Sequence, residues 1–437
     1  MSDSPSPVQF EVPQSTPRFR MGWYLLFSLI GLLITMSVWF SFVRSEDGTA
    51  LESKQLLFNL AGAMAQPDSA AKDASLAKLV PTGATAPNLG AGDALMLLGI
   101  ERESKKPLPA KTREAAVKWL KESWYPADRI ALEVYDSKPT TARALQISQL
   151  LPMEKIYKPA RVHAAEIGGD KKLRPALMGT IVRTTMIFGA IIVFAIALGI
   201  LVWLIYFMYG DKEPLATKAF PIRLADPGEA DWLAFRAFLC LCLLIGMQLF
   251  PLPEWVMAFA VIGSVIGVAC LRLPGPRVDL KTLFGPFRSR YILWAIGAEL
   301  ALVPLATVAV VVSSTVSKYL PDPSHPATDQ LAQSQSLTAL VGLFLLAVVQ
   351  APIVEEIIFR GMLAPAIGRV TSASLGILAS SLLFASIHPQ GIAGWLPLMV
   401  IGVMAAMASY HTKSLWPAVI MHAIHNGALM IFNLWLF

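Results

Sequence analysis

Charge is scarce in this sequence, and so is cysteine. Asp, Glu, Lys and Arg make up only 15% of 437 residues against 55% hydrophobic residues, and the mean hydropathy is +0.57. Soluble proteins carry about 25% charged residues, so the deficit argues against an ordinary water-soluble enzyme and makes a bilayer the solvent for most of the chain. The three cysteines, Cys240, Cys242 and Cys270, all lie in apolar segments, which argues against a disulfide framework or a cysteine zinc site. The net charge of +6 is not gathered into a basic run, so nucleic acid is not an expected partner and the cations read as topology signals. Also missing is any period-two alternation long enough for a dependable strand. There is no Gly-x-Ser-x-Gly, no Gly-Asp membrane-aspartyl motif, no P-loop and no His-Glu-x-x-His. These absences argue against serine and aspartyl intramembrane proteases and against an ATPase.

What is present divides the chain. Residues 1–20 read as a polar, Pro/Ser-rich tail expected to be disordered. The apolar run at 21–44 is long for a secretory signal and lacks a small-x-small site before Ser45, so it reads as an uncleaved anchor helix. Residues 45–179 have ordinary soluble composition, with helices expected at 51–65, 91–98, 111–123 and 141–151 and with Leu95, Leu98, Trp119, Leu120, Leu145 and Leu150 as its core. Residues 180–437 read as a membrane core, with spans expected at 184–209, 232–250, 255–273, 291–313, 337–360, 373–387, 392–410 and 415–437. The expected fold is thus all-α, a polytopic bundle of about nine spans with an inserted extramembrane helical domain. Basic loops at 272–290 and 212–223 alternate with turns nearly free of Lys and Arg, which puts the N-terminus in the cytoplasm and the 45–179 domain outside, in a plasma or inner membrane.

Ionisable groups in apolar helices are costly and mark candidate sites. Glu355, Glu356 and Arg360 fall late in one such helix. Glu356 and Arg360, four apart, share a face and are expected to pair, while Glu355 points about 100° away and lacks that partner. A carboxylate in a low-dielectric cavity holds a proton more firmly than one in water, which suits a general base. His388 ends the next apolar run, and a hairpin about Thr371 puts Glu355 and His388 at equal distances from the turn, provided the first helix continues past Gly361 and Pro365. His422 and Asn426 share a face of the last apolar helix, with His425 offset. Counted from its turn, His422 lies only about half as deep as the other two. Glu299 reads as a cavity or helix-pairing residue, and Arg236 as a side chain snorkelling to the headgroups.

Glu355-Glu356-x-x-x-Arg360, Phe384-x-x-x-His388 and His422-x-x-x-Asn426, in that order, resemble the CPBP family of CAAX prenyl proteases and Abi-type enzymes over about residues 290–437. The resemblance implies an intramembrane endopeptidase acting on a membrane-associated peptide or protein. It implies Glu355 as the base that activates water with His388 beside it, His422 and Asn426 as groups that position the water and stabilise an oxyanion, and Glu356 with Arg360 as a pair that holds the helix in register. It also implies a metalloprotease in common usage, and Glu355, His388 and His422 are chemically competent to hold a divalent ion such as zinc, although a metal-free, glutamate-activated water remains open. The alternative is a non-proteolytic protein of the same fold, a transporter or immunity-type scaffold, whose buried Glu and His bind a proton or ligand.

Overall fold

A computed structural model describes residues 16–46, 91–152, 155–209, 220–247, 249–250, 252–316, 337–388 and 390–436, together with Leu60, Ala63, Met64, Lys72 and Leu76. Residues 1–15 of the tail expected at 1–20 and most of the helix expected at 51–65 lie outside the described residues. Every regular element among the described residues is helical. The chain divides into two compact units, Val43–Phe194 and, made of two segments, Met1–Phe42 with Ala195–Leu436.

The membrane unit begins with α1 (Met21–Glu46) and resumes in α7 (Leu173–Tyr209), whose first part, up to Phe194, belongs to the second unit, and it continues through α8 (Pro227–Met247), α9 (Glu254–Ala269), the short α10 (Leu280–Phe284) and α11 (Arg290–Val316). A long helix α12 over 337–370 follows, then α13 (Ala373–Ser386), α14 (Gly391–Thr412) and α15 (Trp416–Leu436). Six described helical segments are long and apolar enough to cross a membrane, and three more, Glu254–Ala269, Ala373–Ser386 and Trp416–Phe432, are apolar but shorter. The nine apolar runs are therefore all helices, and among the described residues six of them are long enough to cross the hydrocarbon, which takes about 20 residues, so nine full spans are not confirmed. The chain is an integral, multi-pass membrane protein.

α12 is the axis of this unit. It packs against α8, α9, α13, α14 and α15, and its Val354, Ile357, Ile358, Phe359, Met362 and Leu363 are buried in the main apolar cluster. It passes through Gly361 and Pro365, as the hairpin argument requires, and ends at Thr371, where Ser372 caps α13 by accepting from the Leu375 N–H at 3.3 Å. Two π-helical segments, Leu345–Gln350 and Glu356–Leu363, make this possible. Each is followed within two residues by a proline, Pro352 or Pro365. A proline cannot donate to the preceding turn and clashes with its i−4 carbonyl, and a wider turn relieves both problems.

The amino-terminal helix is part of this unit rather than an appendage. Leu26 and Ile30 sit in its core cluster, and the buried Asp231 of α8 accepts from the Arg18 guanidinium (2.7 Å), the Phe19 N–H (3.0 Å) and the Trp23 indole (3.0 Å). Residues 16–20, expected within a disordered tail, are thus tied down. Arg236 also departs from expectation. It is buried and donates to the carbonyls of Pro276 (2.9 Å) and Leu271 (3.3 Å), satisfying a loop rather than reaching toward headgroups.

The second unit contains α2 (Ala91–Ser104), α3 (Ala110–Glu122), α4 (Pro126–Asp136), α5 (Thr141–Leu150) and α6 (Lys158–Ile167). The α4 and α6 segments were not expected; each starts with a proline in its first turn, a signal that Pro126 and Pro159 carry in the sequence. Leu95, Leu98 and Leu120 are core residues and Trp119 packs against them, whereas Leu145 and Leu150 are exposed, since α5 buries Ala144, Ile147 and Ser148 instead. Inside this core Glu103 gathers His163 Nε2 (2.7 Å), Arg174 Nη2 (2.6 Å) and Lys72 Nζ (3.0 Å), and the Tyr135 hydroxyl meets His163 Nδ1 at 3.2 Å.

Candidate active site

The two adjacent glutamates of α12 have opposite surroundings. Glu356 is fully buried, and its Oε1 accepts from Arg360 Nη1 at 3.0 Å and from His422 Nδ1 at 2.9 Å. The i,i+4 pair expected from spacing is therefore present, but inside the protein, where desolvating either charge alone is costly. Arg360 gains further from the ring of Phe384, 4.5 Å from its guanidinium carbon, a cation–π contact out of water. Gly402 lets it fit, since a Cβ there would lie 3.0 Å from Arg360 Nη2.

Glu355 keeps 20% of its side chain accessible and takes no direct hydrogen bond among the described residues. Its Oε1 lies 3.9 Å from His388 Nε2 and its Oε2 lies 3.7 Å from His422 Nε2. Both separations exceed a hydrogen bond, yet each lets the carboxylate and a ring nitrogen contact the same small molecule. His388 is oriented through its other nitrogen, because Nδ1–H donates to the Phe384 carbonyl at 2.6 Å. That bond joins the first and last positions of Phe384-x-x-x-His388 and leaves Nε2 facing Glu355. The His388 carbonyl in turn accepts from the Ser37 hydroxyl of α1 at 2.7 Å, a support that sequence reasoning missed; its only signal was a serine in an apolar run.

His422 reaches this depth because of its turn. Ser414 and Leu415 are fully buried, with the Ser414 hydroxyl donating to the carbonyls of Phe284 and Pro286 and the Leu415 N–H donating to Phe284. The turn is thus covered by the α10 loop, and Leu415 lies at the level of Gly361, with its Cδ1 about one side-chain contact away at 3.2 Å from a Cβ built there. From that level His422 is seven residues along α15 and Glu355 six residues back along α12, each about 10 Å. The depth difference counted from the sequence vanishes because α15 starts below the surface.

Asn426 stands one turn beyond His422, and its Nδ2 donates to the Ala347 carbonyl at 2.8 Å. That carbonyl lacks its usual helical donors: the Ala351 N–H goes to Leu346, and Pro352 has none. Asn426 therefore satisfies the defect made by the first π segment, and its described bond is to the scaffold. A neighbouring pair, Glu299 and His425, meets at 3.0 Å, with Glu299 Oε2 buried and without a hydrogen-bond partner among the described residues. Glu355, Glu356, Arg360, His388 and His422 are thus brought together, and Asn426 is brought to their margin.

The donor set can be tested against a metal. Among the described residues no three His, Cys, Asp or Glu side chains converge as a cation site. His388 and His422 approach different oxygens of Glu355, and His422 Nδ1 is committed to Glu356. Glu355 and the Nε2 atoms of His388 and His422 are the groups that would hold an ion, and no step below runs through one.

Residues 337–428 match the family described as type II CAAX prenyl endopeptidase Rce1-like. No curated protein and no solved structure matches the chain. The three motifs on α12, α13 and α15 are turned toward one another, and the segment that carries them is the one similar to the Rce1-like domain, a match consistent with the CPBP/CAAX protease family.

Proposed function

We propose that this protein is an intramembrane endopeptidase that hydrolyses a peptide bond of a membrane-associated peptide or protein with water activated at Glu355. The observation that carries this reading is the contrast between the two glutamates: Glu356 is buried and doubly bonded, while Glu355 is accessible, unbonded and flanked by two ring nitrogens at 3.7 and 3.9 Å. Glu355 accepts a proton from water as the water oxygen attacks the scissile carbonyl carbon, and it returns that proton to the departing amide nitrogen when the C–N bond breaks. His388 Nε2, fixed by the Phe384 bond, helps to hold the water. His422 lies between the glutamates, held through Nδ1 by the buried Glu356–Arg360 pair, and we assign it and Asn426 to the side where the oxyanion develops. A divalent ion would supply Lewis-acid assistance if bound.

The orientation with the N-terminus in the cytoplasm and the 45–179 domain outside is part of the proposal, supported by the alternation of basic loops. The second reading, a non-proteolytic proton- or ligand-binding membrane protein, is favoured only by the additional Glu299–His425 pair. Turnover separates the two. The purified protein, given membrane-tethered peptides with and without a prenyl group, is expected to cleave at least one class, and Glu355→Gln to lower the rate by at least about a hundredfold. Cleavage that persists in both Glu355→Gln and His388→Ala rejects the assignment.

A further inference from the structure

The membrane unit has a second concavity away from the glutamates. A partly open cavity of about 310 Å³ lies between α7, α11 and α14, near the lower end of the range of about 300–1,000 Å³ typical of ligand sites. Its walls are almost wholly apolar and include Trp203, Trp294, Gly297 and Met407. The Trp203 indole N–H is already spent on the Ala301 carbonyl at 2.9 Å, so that ring is presented as an apolar surface. Polarity is confined to one end, where the Tyr206 hydroxyl meets His411 Nε2 at 3.3 Å and the His411 ring stacks on Trp294.

Three exposed cations follow or precede the residues of that end by a few positions. The Tyr291 hydroxyl donates to the Thr412 carbonyl at 3.1 Å, which joins the start of α11 to the end of α14. Arg290 stands one helical turn before Trp294 on the same face, Arg288 precedes it, and Lys413 follows His411 by two residues. All three are exposed, none forms an ion pair among the described residues, and the Arg290 guanidinium lies 5.9 Å over the Tyr291 ring. An apolar slot whose walls carry Trp203, Trp294, Tyr206 and His411, with three exposed cations a few residues beyond Trp294 and His411, complements an amphiphile with an acyl chain and an anionic head.

We propose that this groove seats one acyl chain of an anionic phospholipid, with the lipid phosphate held by Arg288, Arg290 and Lys413. The site is distinct from the glutamate cluster and does not depend on the proteolytic reading.

Native mass spectrometry of the full-length protein, titrated with phosphatidylglycerol or phosphatidylcholine, tests this. Wild type is expected to retain one phosphatidylglycerol in preference to phosphatidylcholine. Gly297→Phe is expected to abolish that retention, since a Cβ at Gly297 meets nothing within 4 Å and the ring can enter the groove. The double variant Arg288→Gln/Arg290→Gln, at two exposed positions, is expected to weaken phosphatidylglycerol roughly fivefold per charge removed and to leave phosphatidylcholine unchanged. Equal retention of the two lipids by wild type, undiminished retention by Gly297→Phe, or displacement of the lipid by a prenylated peptide overturns the proposal. If Gly297→Phe does not assemble, unchanged phosphatidylglycerol affinity in the arginine variant overturns it alone.

Discussion

Glu355 and Glu356 are neighbours in sequence, and their substitutions are expected to diverge. Removing Glu356 by Glu356→Ala strands Arg360 in the interior without its carboxylate and takes the Nδ1 partner from His422. Leaving a buried charge unpaired costs about 3–5 kcal/mol, so the variant should show a large drop in unfolding temperature in detergent, together with loss of activity. Glu355→Gln, by contrast, breaks no direct hydrogen bond among the described residues, and its unfolding temperature should stay close to wild type while activity disappears. Asn426→Ala makes a third case. It leaves the Ala347 carbonyl without Asn426 beside a proline that cannot replace it, a cost of about 1–3 kcal/mol for an unsatisfied buried acceptor. If its activity loss is matched by that destabilisation and is recovered by Asn426→Gln, the residue acts on the scaffold; a rate loss without destabilisation places it on the oxyanion.

At the scale of elements, α12 combines the two things the site needs. Its π segments keep Glu355, Glu356 and Arg360 on a continuous helix across two prolines, and the carbonyl they release is taken up by α15. α1 contributes as well, holding the end of α13 through Ser37 and holding itself to α8 through Asp231. Asp231→Ala removes three donors' common acceptor, one of them charged, and bonds to charged groups are worth about 1.5–3 kcal/mol each. The expected result is release of α1 seen as faster proteolysis near residues 16–20 and partial loss of activity, because Ser37 no longer steadies the His388 carbonyl. Unchanged proteolysis would mean that apolar packing of Leu26 and Ile30 suffices.

At the scale of the whole molecule, the 43–194 unit supplies the pH dependence. Burial alone would raise the Glu103 carboxyl, but the hydrogen bonds from His163, Arg174 and Lys72 outweigh it and hold Glu103 well below its ordinary value. Burial pushes His163 below its ordinary 6.5, against the pull of Glu103. The neutral ring is then held with Nε2–H donating to Glu103 and Nδ1 accepting from Tyr135. Both folded-state values are depressed, so both contributions are present above the unfolded values and are lost as pH falls. Hydrogen exchange across residues 91–167 of the intact chain should therefore be slow at pH 7 and accelerate below about 6, with a further increase as Glu103 begins to protonate. His163→Gln should remove the first step and leave the second.

The sequence by itself determined the solvent, the helical class and the identity of the motif residues, because hydropathy, helical spacing and rare ionisable groups in apolar runs are local properties. It also sufficed for the Glu356–Arg360 pair, since four-residue spacing on a helix is a contact in any surroundings, and for the α12–α13 hairpin depth, since both arms are counted from one turn. Only the tertiary structure decided the depth of His422, which depends on a turn buried under the α10 loop and on Leu415 meeting Gly361. It alone gave Asn426 its carbonyl, Ser37 its histidine and Glu299 its partner, contacts separated by 79, 351 and 126 residues. Periodicity places a residue on a face of its own helix; which neighbour meets that face is set by packing.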